Sequence, residues 1–234
     1  MTYQEFLKNF LDKGYSVETF SEKGPEPEGK LYLRHDVDFS IDFAYEMAAV
    51  ETAMGVNATY FIRVDAPTYN IFSKTENRKL NWMQENGHII GLHYVPEEFI
   101  KEGFSIKISF DLLSSAFHFP ISKMFTVHQP LKRAEWKALS EYVKAEHSYL
   151  DVNISYYDNF PYFADSRGSF RFGSPLDSEV FFFKKSLHLN IHPIWWAGTS
   201  PFAEFTSRHG TNRLKHQIIQ NIYRDLKENY NVSI

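Results

Sequence analysis

Histidine and aspartate side chains stand at the ends of several apolar, strand-like runs in this sequence. Asp36 and Asp38 follow the first such run, and single histidines end three later runs, namely His93, His128 and His192. The carboxyl ends of parallel strands meet at one edge of α/β sheets and at one rim of α/β barrels, where these folds gather their chemistry. Structural histidines scattered through a core would not be expected at strand ends in this way. The pattern therefore predicts one polar site built from distant parts of the chain.

The available residue types indicate what kind of metal site this would be. Because the chain has no cysteine, any ligands must be imidazole and carboxylate groups, a set that suits zinc and other first-row divalent ions. Asp38 and His93 are the first choices. The third ligand stays open between Glu97, which reaches the same face as His93 if Pro96 begins a helical turn, and His128.

Alternation along the first strand separates its side chains into two groups. Successive side chains of a strand point to opposite faces, so Arg34, Asp36 and Asp38 share one face while His35 and Val37 share the other. Two carboxylates on one face at a strand end could carry chemistry. The structural alternative is an Asx-type turn between strand and helix, with a stabilising pair of arginine and aspartate.

The last apolar run carries a polar face of its own. His188, Asn190 and His192 alternate with leucines and an isoleucine, so the three polar side chains share one face of the predicted strand. That face is typical of a site wall rather than of a core surface, and His192 lies nearest the strand end. Trp195 and Trp196 follow directly. They are either core residues or an aromatic surface on which a sugar ring stacks.

Composition limits the class of protein. The 234 residues suit one domain spanning 1–234, and a hydrophobic fraction of 43% supplies a substantial core. A net charge of −4 without a basic block argues against nucleic acid or an anionic membrane as partner. No apolar stretch reaches transmembrane length and no secretory signal pattern begins the chain. The absence of cysteine fits a reducing compartment, so we expect a soluble, cytoplasmic protein without an integral membrane segment.

The hydrophobic periodicity predicts strands and helices that alternate along the chain. Helices are expected at 3–13, 41–54, 74–85, within 109–117, at 134–144 and at 212–228. Strands are expected from 31, at 57–64, 88–94, 123–128, 179–183 and 187–193, whereas 149–175 is irregular. This order predicts a mostly parallel, one-domain α/β architecture.

These motifs, in this order, resemble those of the polysaccharide deacetylases (NodB-homology, carbohydrate esterase family 4). Residues 34–38 (RHDVD) stand where that family has an aspartate pair, and 87–93 (GHIIGLH) resembles its histidine-bearing strand. Further similar segments are 126–130 (TVHQP), 165–168 (DSRG) and 189–193 (LNIHP). Two departures are visible. Glu97 stands where the family usually has a second histidine ligand, and 126–130 lacks the usual arginine.

The resemblance implies a distorted (β/α) barrel with fewer than eight strands, its core spanning 31–196. It implies that Asp36 is the catalytic base, that Asp38 and His93 bind metal, and that His192 is the general acid. Asp165 and Arg167 would orient these charged groups, and His128 would be a ligand or a substrate contact. The expected substrate-binding side chains are Arg34, Tyr94, Trp195 and Trp196.

The implied activity is metal-dependent removal of an acetyl group from an N-acetylated or O-acetylated sugar or sugar precursor. The variant motifs resemble members associated with bacterial surface-polysaccharide and O-antigen biosynthesis. Zinc is the expected ion, with nickel, cobalt and manganese as alternatives, and a carbohydrate is the expected partner. Two other classes stay open. One is a catalytically impaired sugar-binding relative, which the altered position of Glu97 allows, and the other is a hydrolase of the same fold acting on another C–N bond.

Overall fold

A computed structural model describes residues 1–21, 29–96, 105–128, 133–157 and 159–196. The helix expected at 212–228 lies outside the described residues, and so does Glu97. For Arg167 only the backbone is described. No helix within the described ranges combines the length and the apolar character needed to cross a bilayer.

Strands and helices alternate along most of the described chain. The strands are β1 (Ser16–Glu18), β2 (Lys30–Val37), β3 (Thr59–Ile62), β4 (Ile89–Tyr94), β5 (Met124–Val127), β6 (Leu150–Asp151), β7 (Tyr162–Ala164) and β8 (Leu187–Ile191). The helices are α1 (Tyr3–Asp12), α2 (Ile41–Ala53), α3 (Lys74–Glu85), α4 (Ile106–Ser115), α5 (Arg133–His147), α6 (Val152–Tyr157) and α7 (Glu179–Phe182).

One sheet contains all eight strands. Its order is β6-β5-β4-β3-β2-β8-β7, and β1 pairs with β2 beside this path. Every strand pair within it is parallel. The predicted mostly parallel α/β architecture is therefore confirmed, and the carboxyl ends of the strands all face one side of the molecule.

The sheet is strongly curled, as a barrel requires. Asp38 follows β2 and His128 follows β5, and in a flat sheet three strand spacings would separate them by about 14 Å. Instead, His128 Nδ1 lies 3.0 Å from Asp38 Oδ1. The path ends at β6 and β7, which do not pair with each other in the described part of the chain. The expected distorted barrel is therefore confirmed as an open one.

The barrel path has seven strands, which agrees with the expectation of fewer than eight, and β1 lies beside it. The strands β1, β6 and β7 are only two or three residues long, so no alternating sequence pattern predicts them. One detail of the expected fold is wrong. The strand expected at 179–183 is the short helix α7. Short apolar runs fit either structure, and here the Ser178 side chain caps the helix by accepting from Phe181 N.

A cluster of buried aromatic and apolar side chains packs in the barrel interior next to Arg34. Gly91 on β4 is required there, because a Cβ at this position would lie 2.6 Å from a ring carbon of Phe61. The Phe61 ring in turn lies under the Arg34 guanidinium, 5.8 Å from centroid to Cζ. The other buried members of this interior cluster are Phe20, Tyr32, Met124, Val152 and Tyr156.

His188 is a buried polar group that the interior leaves unsatisfied. Neither ring nitrogen has a hydrogen-bond partner in the described part of the chain, and the rings of Phe20 and Tyr162 lie edge-on at 4.9 and 4.8 Å. Burial, with the nearby Arg34 charge, lowers the pKa of His188 well below its usual value. The side chain is therefore a neutral imidazole in an aromatic surrounding.

We expect His188→Met to raise the free energy of unfolding by about 1–2 kcal/mol, because an unpaired buried polar group costs roughly that much. Chemical denaturation measures the change, and His118→Met at an exposed position is the control, expected to stay within about 0.5 kcal/mol. If His188→Met instead lowered the free energy of unfolding by about 1–2 kcal/mol, an internal water would be satisfying the ring in the wild-type protein.

Candidate metal and catalytic site

Three ligand atoms converge at the carboxyl ends of β2, β4 and β5. Asp38 Oδ1 lies 3.3 Å from His93 Nε2 and 3.0 Å from His128 Nδ1, and the two nitrogens lie 3.1 Å apart. Tetrahedral ligands roughly 2.1 Å from a zinc ion lie about 3.4 Å from one another. The three atoms therefore have nearly the spacing that a shared ion imposes, and they form a candidate metal site.

Asp38 supplies a second observation that fits a metal ion. Its Oδ1 is buried and has no hydrogen-bond partner among the described residues, although both imidazoles lie within 3.3 Å. A buried carboxylate oxygen without a partner is costly, and a cation would satisfy it. Burial alone would raise the pKa of Asp38, but the imidazoles of His128 and His93 hold it well below its usual range. The group is thus ionised, as a ligand must be.

Among the described residues, His128 completes a candidate set of three ligands. The sequence left His128 and Glu97 as alternatives, and Glu97 lies outside the described residues. His128 follows β5, the strand that pairs with β4, and its backbone amide donates to the carbonyl of Tyr94. The strand pairing therefore carries its imidazole next to that of His93.

Asp36 lies beside the three ligands and is held by three donors. Its Oδ2 accepts from Arg34 at 2.9 Å and from the Asn190 amide at 2.8 Å, and its Oδ1 accepts from Thr126 Oγ1 at 3.4 Å. Burial would raise the pKa of Asp36, but the Arg34 guanidinium, together with His93 and His192, lowers it to about 2. Asp36 is therefore an ionised proton acceptor at neutral pH.

Arg34 is buried in the barrel and points away from solvent. Its guanidinium donates to Asp36 and to Asn153 Oδ1 and lies between the rings of Phe61 and Tyr162. The structure thus gives it a holding role toward the base, whereas the sequence indicated substrate contact. Asn153 gave no sequence signal, because it lies on the short helix α6 in the segment predicted to be irregular.

Partly buried His192 and fully buried Asp165 form a close pair next to Asp38. Asp165 Oδ1 lies 2.6 Å from His192 Nδ1 and also accepts from the His192 backbone amide. The remaining nitrogen, Nε2, faces Asp38 Oδ2 at 3.9 Å. Burial would lower the pKa of His192, but the Asp165 carboxylate, assisted by Asp36 and Asp38, raises it to about 9. His192 is thus an imidazolium whose free N–H points into the site.

Besides Arg34, two more of the residues expected to bind substrate are buried. Tyr94 is 3% exposed, because the alternation of β4 turns it to the face opposite His93. Trp196 is 2% exposed and donates through Nε1 to Asp165 Oδ2, so it supports Asp165 from behind. Only Trp195 is half-buried, and like Phe39 it packs against the cluster of Phe43 and Ile194.

The chain matches no protein-family model and no curated protein. Among solved structures it is similar to a family 4 carbohydrate esterase from Bacillus anthracis, at 15% identity over 94% of this chain and 86% of that one, with a TM-score of 0.47. A chitin deacetylase from the fungus Colletotrichum lindemuthianum shares 13% identity over 88% and 86% of the two chains, TM-score 0.46. A family 4 pseudoenzyme from Bacillus anthracis shares 12% over 86% and 66%, TM-score 0.46. TM-scores below 0.5 assign no activity to the chain.

Proposed function

We propose that this protein is a metal-dependent hydrolase that removes an acetyl group from an N-acetylated or O-acetylated sugar or sugar precursor. The observation that carries the proposal is the convergence of Asp38, His93 and His128, with Asp36 and His192 close to these three residues. The proposal that the substrate is a sugar rests on the resemblance of the motifs. The same resemblance supports the finer proposal of a cytoplasmic role in surface-polysaccharide or O-antigen biosynthesis.

The three ligands Asp38, His93 and His128 would hold the ion, with zinc as the first choice and nickel, cobalt or manganese as alternatives. Such an ion, when bound, supplies Lewis acidity that polarises an acyl oxygen and makes water a better nucleophile at neutral pH. One carboxylate and two imidazoles leave further coordination positions for water and substrate, as catalytic sites require.

Asp36 is placed to accept the proton of the attacking water. Its Oδ2 is occupied by Arg34 and Asn190, whereas within the described part of the chain Oδ1 has only the long contact with Thr126. Oδ1 therefore keeps a lone pair for a proton. General-base help of this kind contributes typically about 10²- to 10⁴-fold to a rate.

His192 is placed to donate a proton to the leaving group. Asp165 binds the Nδ1–H and stabilises the imidazolium, so the proton on Nε2 is the one that faces the site. Transfer of this proton to the departing amine nitrogen, or to an alcohol oxygen in an ester, prevents expulsion of an unstable anion. Trp196 keeps Asp165 oriented through its indole N–H.

Acetate release tests the proposal directly. Purified protein is treated with a chelator, reloaded with Zn²⁺, and incubated with N-acetylated oligosaccharides, nucleotide sugars and O-acetylated sugars. We expect about one tightly bound zinc per chain by elemental analysis, and acetate production that disappears with the metal and returns on reloading. A protein that binds zinc but releases no acetate would be a sugar-binding relative or a hydrolase of another bond.

Substitution of the third ligand gives a sharper test of the site. We expect His128→Gln to weaken zinc affinity more than about 100-fold, beyond the 10- to 100-fold typical of groups that only support a ligand. Glu97→Gln should keep the wild-type affinity. Competition with a chromophoric chelator measures both variants, and the opposite result would assign the third ligand to Glu97.

A further inference from the structure

Thr126 lies between the metal ligands and the base. Its buried Oγ1 is 2.7 Å from His93 Nδ1 and 3.4 Å from Asp36 Oδ1. The pairing of β4 with β5 sets this placement, because His93 and Thr126 are direct partners in the register of these strands. The hydroxyl oxygen of Thr126 thus contacts both a proposed metal ligand, His93, and the proposed base, Asp36.

Counting hydrogens fixes the direction of both bonds. Asp36 Oδ2 accepts from Arg34 and from Asn190, and a carboxylate paired with arginine only accepts. The one hydroxyl hydrogen of Thr126 must therefore point to Asp36 Oδ1. The oxygen then presents a lone pair to His93, so Nδ1 must carry a hydrogen. An imidazole that binds metal must be neutral and then has one such hydrogen, so in that form Nε2 is bare toward Asp38.

We infer that Thr126 is a positioning residue that holds His93 in its Nδ1–H tautomer, with Nε2 free to bind metal, and that orients Asp36 at the same time. This inference rests on the metal site of the proposed function. Supporting groups of this kind fix the tautomer and ring orientation of histidine ligands in many metal proteins, and here the same hydroxyl also touches the base.

A threonine series tests the inference. Thr126→Val keeps the branched shape and loses the hydroxyl, so the Nδ1–H of His93 has no acceptor. We expect its zinc affinity to fall about 10- to 100-fold, whereas Thr126→Ser restores the wild-type value. Thr59→Val is the matched control, because Thr59 is also a buried strand threonine but its hydroxyl accepts from Phe20 N; its zinc affinity should not change. Chelator competition measures all four proteins.

A second readout separates this inference from the proposed activity. Long-range ¹H–¹⁵N correlation of the histidine rings in metal-free protein should show the Nδ1–H tautomer of His93 in wild type and in Thr126→Ser, and its loss in Thr126→Val. That result supports the role of Thr126 even if no acetate is released from any sugar. Wild-type zinc affinity with an unchanged His93 tautomer in Thr126→Val overturns it, whatever the activity.

Discussion

Asp36→Asn is expected to lower acetate release by about 10²- to 10⁴-fold, the usual contribution of a general base, while zinc still binds. An amide cannot take the proton of water, but its oxygen can still accept from Arg34 and Asn190, the two groups that hold the carboxylate in place. The ligand atoms of Asp38, His93 and His128 are not altered. Rate constants and zinc affinity, measured on the same preparation, check both halves of the prediction.

Asp38→Ala is the contrasting variant. It removes a ligand oxygen instead of the base, so zinc binding and acetate release should disappear together. Loss of acetate release with zinc still bound is therefore expected for Asp36→Asn, and loss of both for Asp38→Ala. If Asp36→Asn released acetate at the wild-type rate, Asp36 would be no base, and the pairing with Arg34 would be purely structural.

Much of this site was predictable because it depends on two local rules. Alternation in β2 and β8 put Asp36 and His192 on inward faces, and the parallel α/β order put the ends of β4 and β5 at the same rim. Both rules need only the sequence within a strand and the order of the elements. The residues Asp38 and His93 were identified in the same way.

What remained hidden depends on how strands pair. The placement of Thr126 beside His93 follows from their strand register, and the placement of His128 beside Asp38 follows from the curl of the sheet. No local sequence pattern shows either. The position of Trp196 could not be predicted for a different reason. An aromatic residue after a polar strand end fits a sugar platform and a core position equally well, and its bond to Asp165 decides for the core.

A second polar cluster lies on the opposite face of β2, where alternation places His35. Glu51 on α2 is fully buried there and accepts from Tyr3 OH, His35 Nε2 and Tyr60 OH. The other nitrogen of His35 lies 3.2 Å from the carbonyl oxygen of Ile191, the residue before His192. Both His35 nitrogens thus face acceptors, and Nε2 lies 2.6 Å from Glu51 Oε1 in a fully buried pair.

Glu51→Gln is expected to lower the free energy of unfolding by about 3–5 kcal/mol, the cost of breaking a buried ion pair by altering one partner. The glutamine NH₂ would face hydrogen-bond donors, and the His35 charge would lose its counter-ion. Urea denaturation at neutral pH measures the loss. Glu85→Gln, at an exposed position on α3, is the matched control and should change stability by less than about 0.5 kcal/mol.

The pH dependence of this loss identifies its electrostatic origin. Burial would raise the pKa of Glu51, but the His35 charge and its hydrogen bond lower it. A lowered pKa in the folded state contributes stability that is complete above the ordinary glutamate pKa of about 4.3 and is lost as the pH falls through the folded value. The difference between wild type and Glu51→Gln should therefore narrow on acidification below about pH 4. A difference that stays constant with pH would mean that shape, rather than charge, holds α2 against the sheet.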